Sequence, residues 1–177
     1  MNNLCETCPF NIYPQIPPSE TFRADVAIVG MNPGTEEISQ KKPFVGKSGQ
    51  LLRQTLQKSG FTEEPFITNA ILCMPPDNAG ISRAIIEHCR PRLVKELKQV
   101  QPKIILAFGN IAIHALTNDY KLKVSTMHST PIENELGLLL PVYHPAAILR
   151  DSSKKRDAWE DLKAIKNMYT KFSQKPG

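Results

Sequence analysis

The chain has 177 residues, with 22 Lys and Arg against 17 Asp and Glu, for a formal charge of +5. That length suits one domain over residues 1–177 and can bury most of its unfolded surface without disulfides. Hydrophobic residues at 41% and charged residues at 22% exclude a disordered or fibrous chain. Apolar runs such as Ile104–Phe108 and Leu138–Val142 are too short to cross a bilayer. Met1-Asn2-Asn3 is followed by no basic residue before Arg23, so no secretory signal is expected. The expectation is a cytoplasmic monomer with no membrane partner.

Residues 1–23 carry two Cys and four Pro and read as an irregular lead-in. Ala24–Val29 is a short apolar run closed by Gly30, the pattern of a buried strand. A polar loop is expected from Asn32 to Lys47. Ser48 reads as the N-cap of a helix through Lys58, with Leu51, Leu52, Thr55 and Leu56 inward and Gly60 as its stop. Phe66–Ile71 is a second strand. Ser82 caps a helix toward Val100, which Pro91 is expected to interrupt by starting a new turn. Lys103–Phe108 is a third strand, closed by Gly109, and Ile111–Leu116 is a helix. Leu138–Tyr143 is a fourth strand, whose Pro141 indicates an edge or a bulge. Lys154–Phe172 is an amphipathic helix with Trp159, Leu162, Ile165 and Met168 read as core. This alternation predicts an α/β fold with a parallel sheet covered on both faces.

Charge is concentrated at the end of the chain. From Arg150 to Gly177 there are eight Lys or Arg and four Asp or Glu, which is +4 in 28 residues. Such a flank suits a polyanion such as nucleic acid. A solvated helix face accounts for the same residues more plainly.

In parallel sheets ligands bind beyond the carboxyl ends of the strands. Those positions hold Gly30-Met31-Asn32-Pro33-Gly34, Asn69 and His144-Pro145-Ala146. Each has an ordinary reading as a turn, a cap or a loop, but together they bring three polar segments to one rim. Gly46-Lys47-Ser48 ends like a phosphate-binding P-loop, yet position 41 is Lys where that motif needs Gly. Nucleotide hydrolysis has no support. His88, His114 and His128 lack partners at metal spacing and receive no role.

Cys5 and Cys8 form a C-x2-C pair, and Cys73 and Cys89 complete a set of four. In a cytoplasmic chain that pattern indicates metal rather than disulfides. Spacing alone leaves a zinc site and a 4Fe–4S cluster both open.

The ordered set of motifs resembles the uracil-DNA glycosylase superfamily, most closely its iron–sulfur branch, called family four. The resemblance rests on Cys5/Cys8, Gly30–Gly34, residues 42–52, Thr68-Asn69-Ala70 leading to Cys73, Cys89, residues 102–109, and residues 143–150. It implies a three-layer α/β/α fold around a four-stranded parallel sheet. It also implies 4Fe–4S ligands at Cys5, Cys8, Cys73 and Cys89 in preference to zinc. The activity it implies is hydrolysis of the N-glycosidic bond of uracil in DNA, on a base flipped out of the duplex.

The resemblance further implies individual roles. Phe44 is the aromatic plate under the flipped base, in a site that Gly30 and Met31 help to line. Asn69 reads the base edge, because its amide offers both a donor and an acceptor. His144 donates to O2 of the departing base, together with backbone N–H groups of the Gly30–Gly34 loop. Gly46 and Ser48 contact a phosphate at a helix N-terminus, and Leu149 and Arg150 wedge into the duplex. One motif departs from the family-four pattern, which has Glu then Ala within G-x-x-P-G. Here Met31 and Asn32 stand there, as in the mismatch-specific and single-strand-selective branches, where the Asn positions the attacking water. Asn32 can orient water but not deprotonate it, which implies slower excision and a base range extending to hypoxanthine. Glu36 and Glu37 are candidates for the missing carboxylate. The same pair of residues permits a second reading, a weak or inactive nucleic-acid-binding member of the fold. A zinc-stabilised interaction domain is a third.

Overall fold

Four runs rich in branched aliphatic residues form the strands β1 (Val26–Gly30), β2 (Phe66–Asn69), β3 (Ile104–Phe108) and β4 (Leu138–Val142). They pair in parallel in the order β2-β1-β3-β4. The computed structural model describes residues 3–21, 23–58, 60–76 and 80–173. Met1, Asn2 and Phe22 of the lead-in, and Lys175 of the basic flank, lie outside the described residues.

Side chains alternate across a strand, and each face of the sheet builds its own core. Ala27, Val29, Ile105, Ala107 and Leu139 pack with Ile85, Leu93, Leu97, Ile113 and Leu116 on one face. Val26, Ile28, Ile104, Leu106, Leu140 and Val142 pack with Leu52, Leu56, Ile165 and Met168 on the other. The helices that supply these partners are α3 (Lys47–Lys58), α4 (Arg83–Val100), α5 (Asn110–Thr117) and α8 (Lys155–Ser173). The result is the three-layer α/β/α arrangement. Each buried Leu or Ile contributes about 1.5–3 kcal/mol, so truncating a side chain such as Leu106, fully buried in the sheet, costs about 2–5 kcal/mol.

Several local expectations need correction. The lead-in contains a helical turn, α1 (Asn3–Glu6), and the loop after β1 contains α2 (Thr35–Gln40). Two further short helices, α6 (Val124–Met127) and α7 (Pro145–Arg150), also escape the sequence reading. None is long enough to show an amphipathic period. Pro91 does not interrupt α4, which runs unbroken from Arg83 to Val100. Pro91 faces solvent, so water can serve the carbonyl it leaves open, while Ile85, Ile86, Leu93 and Leu97 hold both halves in the core. Trp159 is 57% exposed and is not core. Residues spaced by three drift about 60° per step around a helix of 3.6 residues per turn, so Trp159 lies opposite Met168. The inward stripe of α8 is Asp161, Ile165 and Met168, all buried. Pro141 does sit on an edge strand.

Candidate active site

The carboxyl ends of the strands meet at Gly30. Its sheet partner is Asn69. A Cβ on Gly30 would run into Asn69 Oδ1 and would lie 2.6 Å from Phe44 Cζ and 2.8 Å from Phe44 Cε2. Only a residue without a side chain allows that approach. The ring centroid of Phe44 is 6.0 Å from that of His144 and 6.2 Å from that of Phe108. His144 and Phe108 are 6.1 Å apart, edge to face. Three rings and one amide therefore surround the end of β1. Phe108 was not expected there, although its place at the carboxyl end of β3 is the signal that found Asn69 and His144.

Phe44 adopts a left-handed backbone with φ 53°, a costly conformation for a bulky residue. Two features hold it. A Cβ on Gly49 would overlap the Phe44 carbonyl, so the first turn of α3 lies directly against the Phe44 main chain. Glu37 Oε1 accepts from Val45 N–H and Gly46 N–H, both at 2.8 Å, and Oε2 accepts from Gly34 N–H at 3.0 Å. One carboxylate thus joins the loop after β1 to the loop that carries Phe44. Glu37 is three residues after the N-cap Gly34, the position from which Glu reaches back to a cap N–H. That half of its role was legible. The Gly46 N–H expected to meet a phosphate is engaged by this carboxylate. Ser48 lies in the first turn of α3.

His144 is the N-cap of α7, and its Nδ1 accepts from Ala146 N–H at 3.1 Å. An accepting Nδ1 places the proton of the neutral ring on Nε2. Burial, reinforced by the Arg150 charge and opposed by Glu37, pushes the imidazole down to about 4. It is neutral at physiological pH, with one N–H to offer. Asp161, 4% exposed on α8, supports this segment. It accepts from Tyr143 N–H at 2.8 Å, from Ser129 Oγ at 2.7 Å and from His128 Nδ1 at 3.1 Å. Burial raises its carboxyl, against those hydrogen bonds.

Asn32 is half-buried after β1, and its Nδ2 donates to the Pro33 carbonyl at 3.1 Å. Met31 is half-buried, and its carbonyl accepts from Ile71 N–H at 2.9 Å. Leu149, 58% exposed, and Arg150, also exposed, end the short α7. A neighbouring cavity of about 210 Å³, which shares Phe108 with this site, lies under α7 between α3 and α8, lined also by Leu51, Leu52, Val142, Ile148 and Trp159. Its walls are mainly apolar, and its carboxylate, Asp161, is already committed. The polar groups that could do chemistry converge at Gly30 instead.

Cys8, Cys73 and Cys89 share one apolar cluster, and all four cysteines carry free thiols. Burial first, then Cys8, Cys89 and Cys5, push the Cys73 thiol up to about 12 against a pull from Arg92. Burial likewise pushes Cys89 up to about 11, opposed by Arg92 and reinforced by Cys8 and Cys5. The four sulfurs are therefore electrostatic neighbours. Phe10 N–H donates to Cys8 Sγ at 3.4 Å. Among the described residues no three His, Cys, Asp or Glu side chains are gathered as a metal-binding group. The donor set, three thiols in an apolar cluster, a half-buried Cys5 and an N–H aimed at the Cys8 sulfur, suits a thiolate-bound group.

Comparisons with known proteins bear on this geometry. Residues 17–163 match the family described as the uracil DNA glycosylase superfamily. The chain is 33% identical over 171 residues to a type-4 uracil-DNA glycosylase of Pyrobaculum aerophilum, covering 89% of this chain and 86% of that one. It is 30% identical over 150 residues to the type-4 enzyme of Thermotoga maritima, covering 82% and 78% respectively. It is 29% identical over 151 residues to that of Archaeoglobus fulgidus, covering 81% and 76%. No helix among the described residues is long and apolar enough to cross a membrane.

Proposed function

The chain belongs to the uracil DNA glycosylase superfamily, and from that premise we propose that it hydrolyses the N-glycosidic bond of uracil in DNA, leaving an abasic site. The observation that carries the reading is the gathering of Phe44, Asn69 and His144, from three distant segments, around Gly30. A flipped base stacks on Phe44. The Asn69 amide matches O4 and N3–H of uracil. Cytosine reverses that pattern and would leave buried polar groups unpaired, at about 1–3 kcal/mol each.

As the bond from N1 to C1′ breaks, its electron pair moves onto uracil and charge develops at O2. Neutral His144 donates from Nε2 toward that oxygen. A donor aimed at charge that appears only in the transition state lowers the barrier rather than tightening ground-state binding. Asn32 orients the water that adds to C1′, and the water's proton leaves to solvent. Glu37 is held by three backbone donors, two on Oε1 and one on Oε2. It positions the Phe44 loop and does not act as the base. Ser48, Leu149 and Arg150 form the DNA-facing surface around the site.

The thiol set, with the family-four resemblance of its motifs, supports an iron–sulfur group held by Cys5, Cys8, Cys73 and Cys89. When bound it supplies structural cross-linking, tying the N-terminal segment to α4 and the segment after β2.

Uracil-containing single- and double-stranded oligonucleotides, incubated with protein and then cleaved with alkali, test the activity. Strand breaks at uracil that vanish in Asn32→Ala support it. Binding to these oligonucleotides without any cleavage would favour the binding-only reading that Met31-Asn32 permits. Cleavage at hypoxanthine in the same panel measures the width of base range.

A further inference from the structure

β2 is an edge strand, so alternate residues present their backbone groups away from the sheet. Those of Ile67 are met by Ser19, whose Oγ accepts from Ile67 N–H and whose N–H donates to the Ile67 carbonyl, both at 2.8 Å. Two residues on, at Asn69, no strand or loop backbone among the described residues is seen to take over its carbonyl. Arg92 does. Its NH2 donates to the carbonyls of Asn69 and Ala70, each at 2.7 Å. Its NH1 donates to Glu96 Oε2 at 2.7 Å and to Thr68 Oγ1 at 3.3 Å. Thr68 Oγ1 in turn donates to the same Glu96 oxygen at 2.9 Å.

Arg92 is 6% exposed. A planar guanidinium can serve two consecutive carbonyls, a hydroxyl and a carboxylate at once, whereas an ammonium cannot hold that fork. On the inner edge, Ala70 N–H donates to the Gly30 carbonyl and Ile71 N–H to the Met31 carbonyl, each at 2.9 Å. The main chain carrying Asn69 is thus gripped from both sides at the point where its side chain meets Gly30.

We propose that Arg92 is a positioning residue for the base-reading amide, setting the direction of Asn69 through its backbone. The inference rests on the proposed uracil reading, in which Asn69 contacts the base and Arg92 touches no part of the substrate. Arg92 lies one helical turn after Cys89 on α4, and Cys73 lies four residues beyond Asn69.

The test is a double-mutant cycle read by single-turnover excision of uracil. Arg92→Lys keeps the charge and removes the fork. In the otherwise unaltered protein it lowers the excision rate about tenfold or more, while affinity for DNA changes less than about twofold. In an Asn69→Ala background the same change has less than about a twofold effect, since there is no amide left to aim. Equal losses in both backgrounds, or no loss in either, would overturn the proposal. Glu96→Gln, which loosens the guanidinium without removing it, gives the same pattern at smaller size and serves if Arg92→Lys does not fold. Amide hydrogen exchange supplies a readout independent of activity. In Arg92→Lys, exchange at Ala70 and Ile71 speeds by about tenfold or more, while Leu106 in the central sheet is unchanged. Unchanged exchange at Ala70 and Ile71 refutes the positioning role. If the unaltered protein excises no uracil, the functional reading fails, and exchange alone then decides whether Arg92 holds Asn69.

Discussion

Lowering the pH tests the account of His144 directly. Its imidazole is pushed from 6.5 down to about 4, by burial first and then by the Arg150 charge. Between those values the unfolded chain takes up a proton that the folded chain refuses. Stability is therefore constant above about pH 6.5 and is lost as pH falls toward 4. At roughly 1.4 kcal/mol per pH unit, the loss from this one group reaches about 2.5 kcal/mol by about pH 4.5. His144→Gln removes the titrating group. Denaturant unfolding of both proteins at about pH 7.5 and about pH 4.5 isolates it, because carboxylates common to both cancel in the double difference. The unaltered protein should lose about 2.5 kcal/mol more than His144→Gln, or about 5–10 °C in midpoint. Equal losses in the two proteins would refute the reasoning. So would an imidazole signal that titrates near 6.5 in the folded protein. Excision should keep its rate down to about pH 5 on the His144 limb, since the ring stays neutral there.

Gly30→Ala places a methyl carbon 2.6 Å from Phe44 Cζ. The ring must move by about 1 Å, which costs about 1–3 kcal/mol and should lower excision about a hundredfold, measured by single turnover beside a thermal melt. Glu37→Gln turns one accepting oxygen into a donor facing an N–H and weakens the other bonds. We expect about 2 kcal/mol of destabilisation, with faster exchange at the Val45 and Gly46 amides; unchanged exchange would show that the carboxylate does not hold the loop. Cys73→Ser should abolish any visible absorbance of the purified protein and lower its thermal midpoint, as expected when metal binding and folding are coupled; a coloured, equally stable variant would remove Cys73 from the ligand set.

The strands were legible because each is buried on both faces, leaving an apolar signature bounded by Gly or polar residues. Pro141 announced an edge, since an imide nitrogen has no place inside a ladder. Gly30, Asn69 and His144 could be grouped because parallel strands deliver their following residues to one rim. Motif resemblance pointed to Phe44, but its left-handed backbone follows from contacts of its loop with Gly49 and Glu37 that no helical or strand period signals. Phe108 at the site, Asp161 behind Tyr143 and Arg92 on the outer edge of β2 likewise had no local signal. The contacts that bring them to the site, Arg92 to Asn69, Asp161 to Tyr143 and Phe108 to His144, span 18 to 36 residues of chain. Helical or extended patterning encodes which side of an element is apolar. It does not encode which distant donor will meet a carbonyl or carboxylate left open where a strand ends. That pairing exists only once the layers have packed, because burial is what makes an unmet polar group costly enough to require a partner.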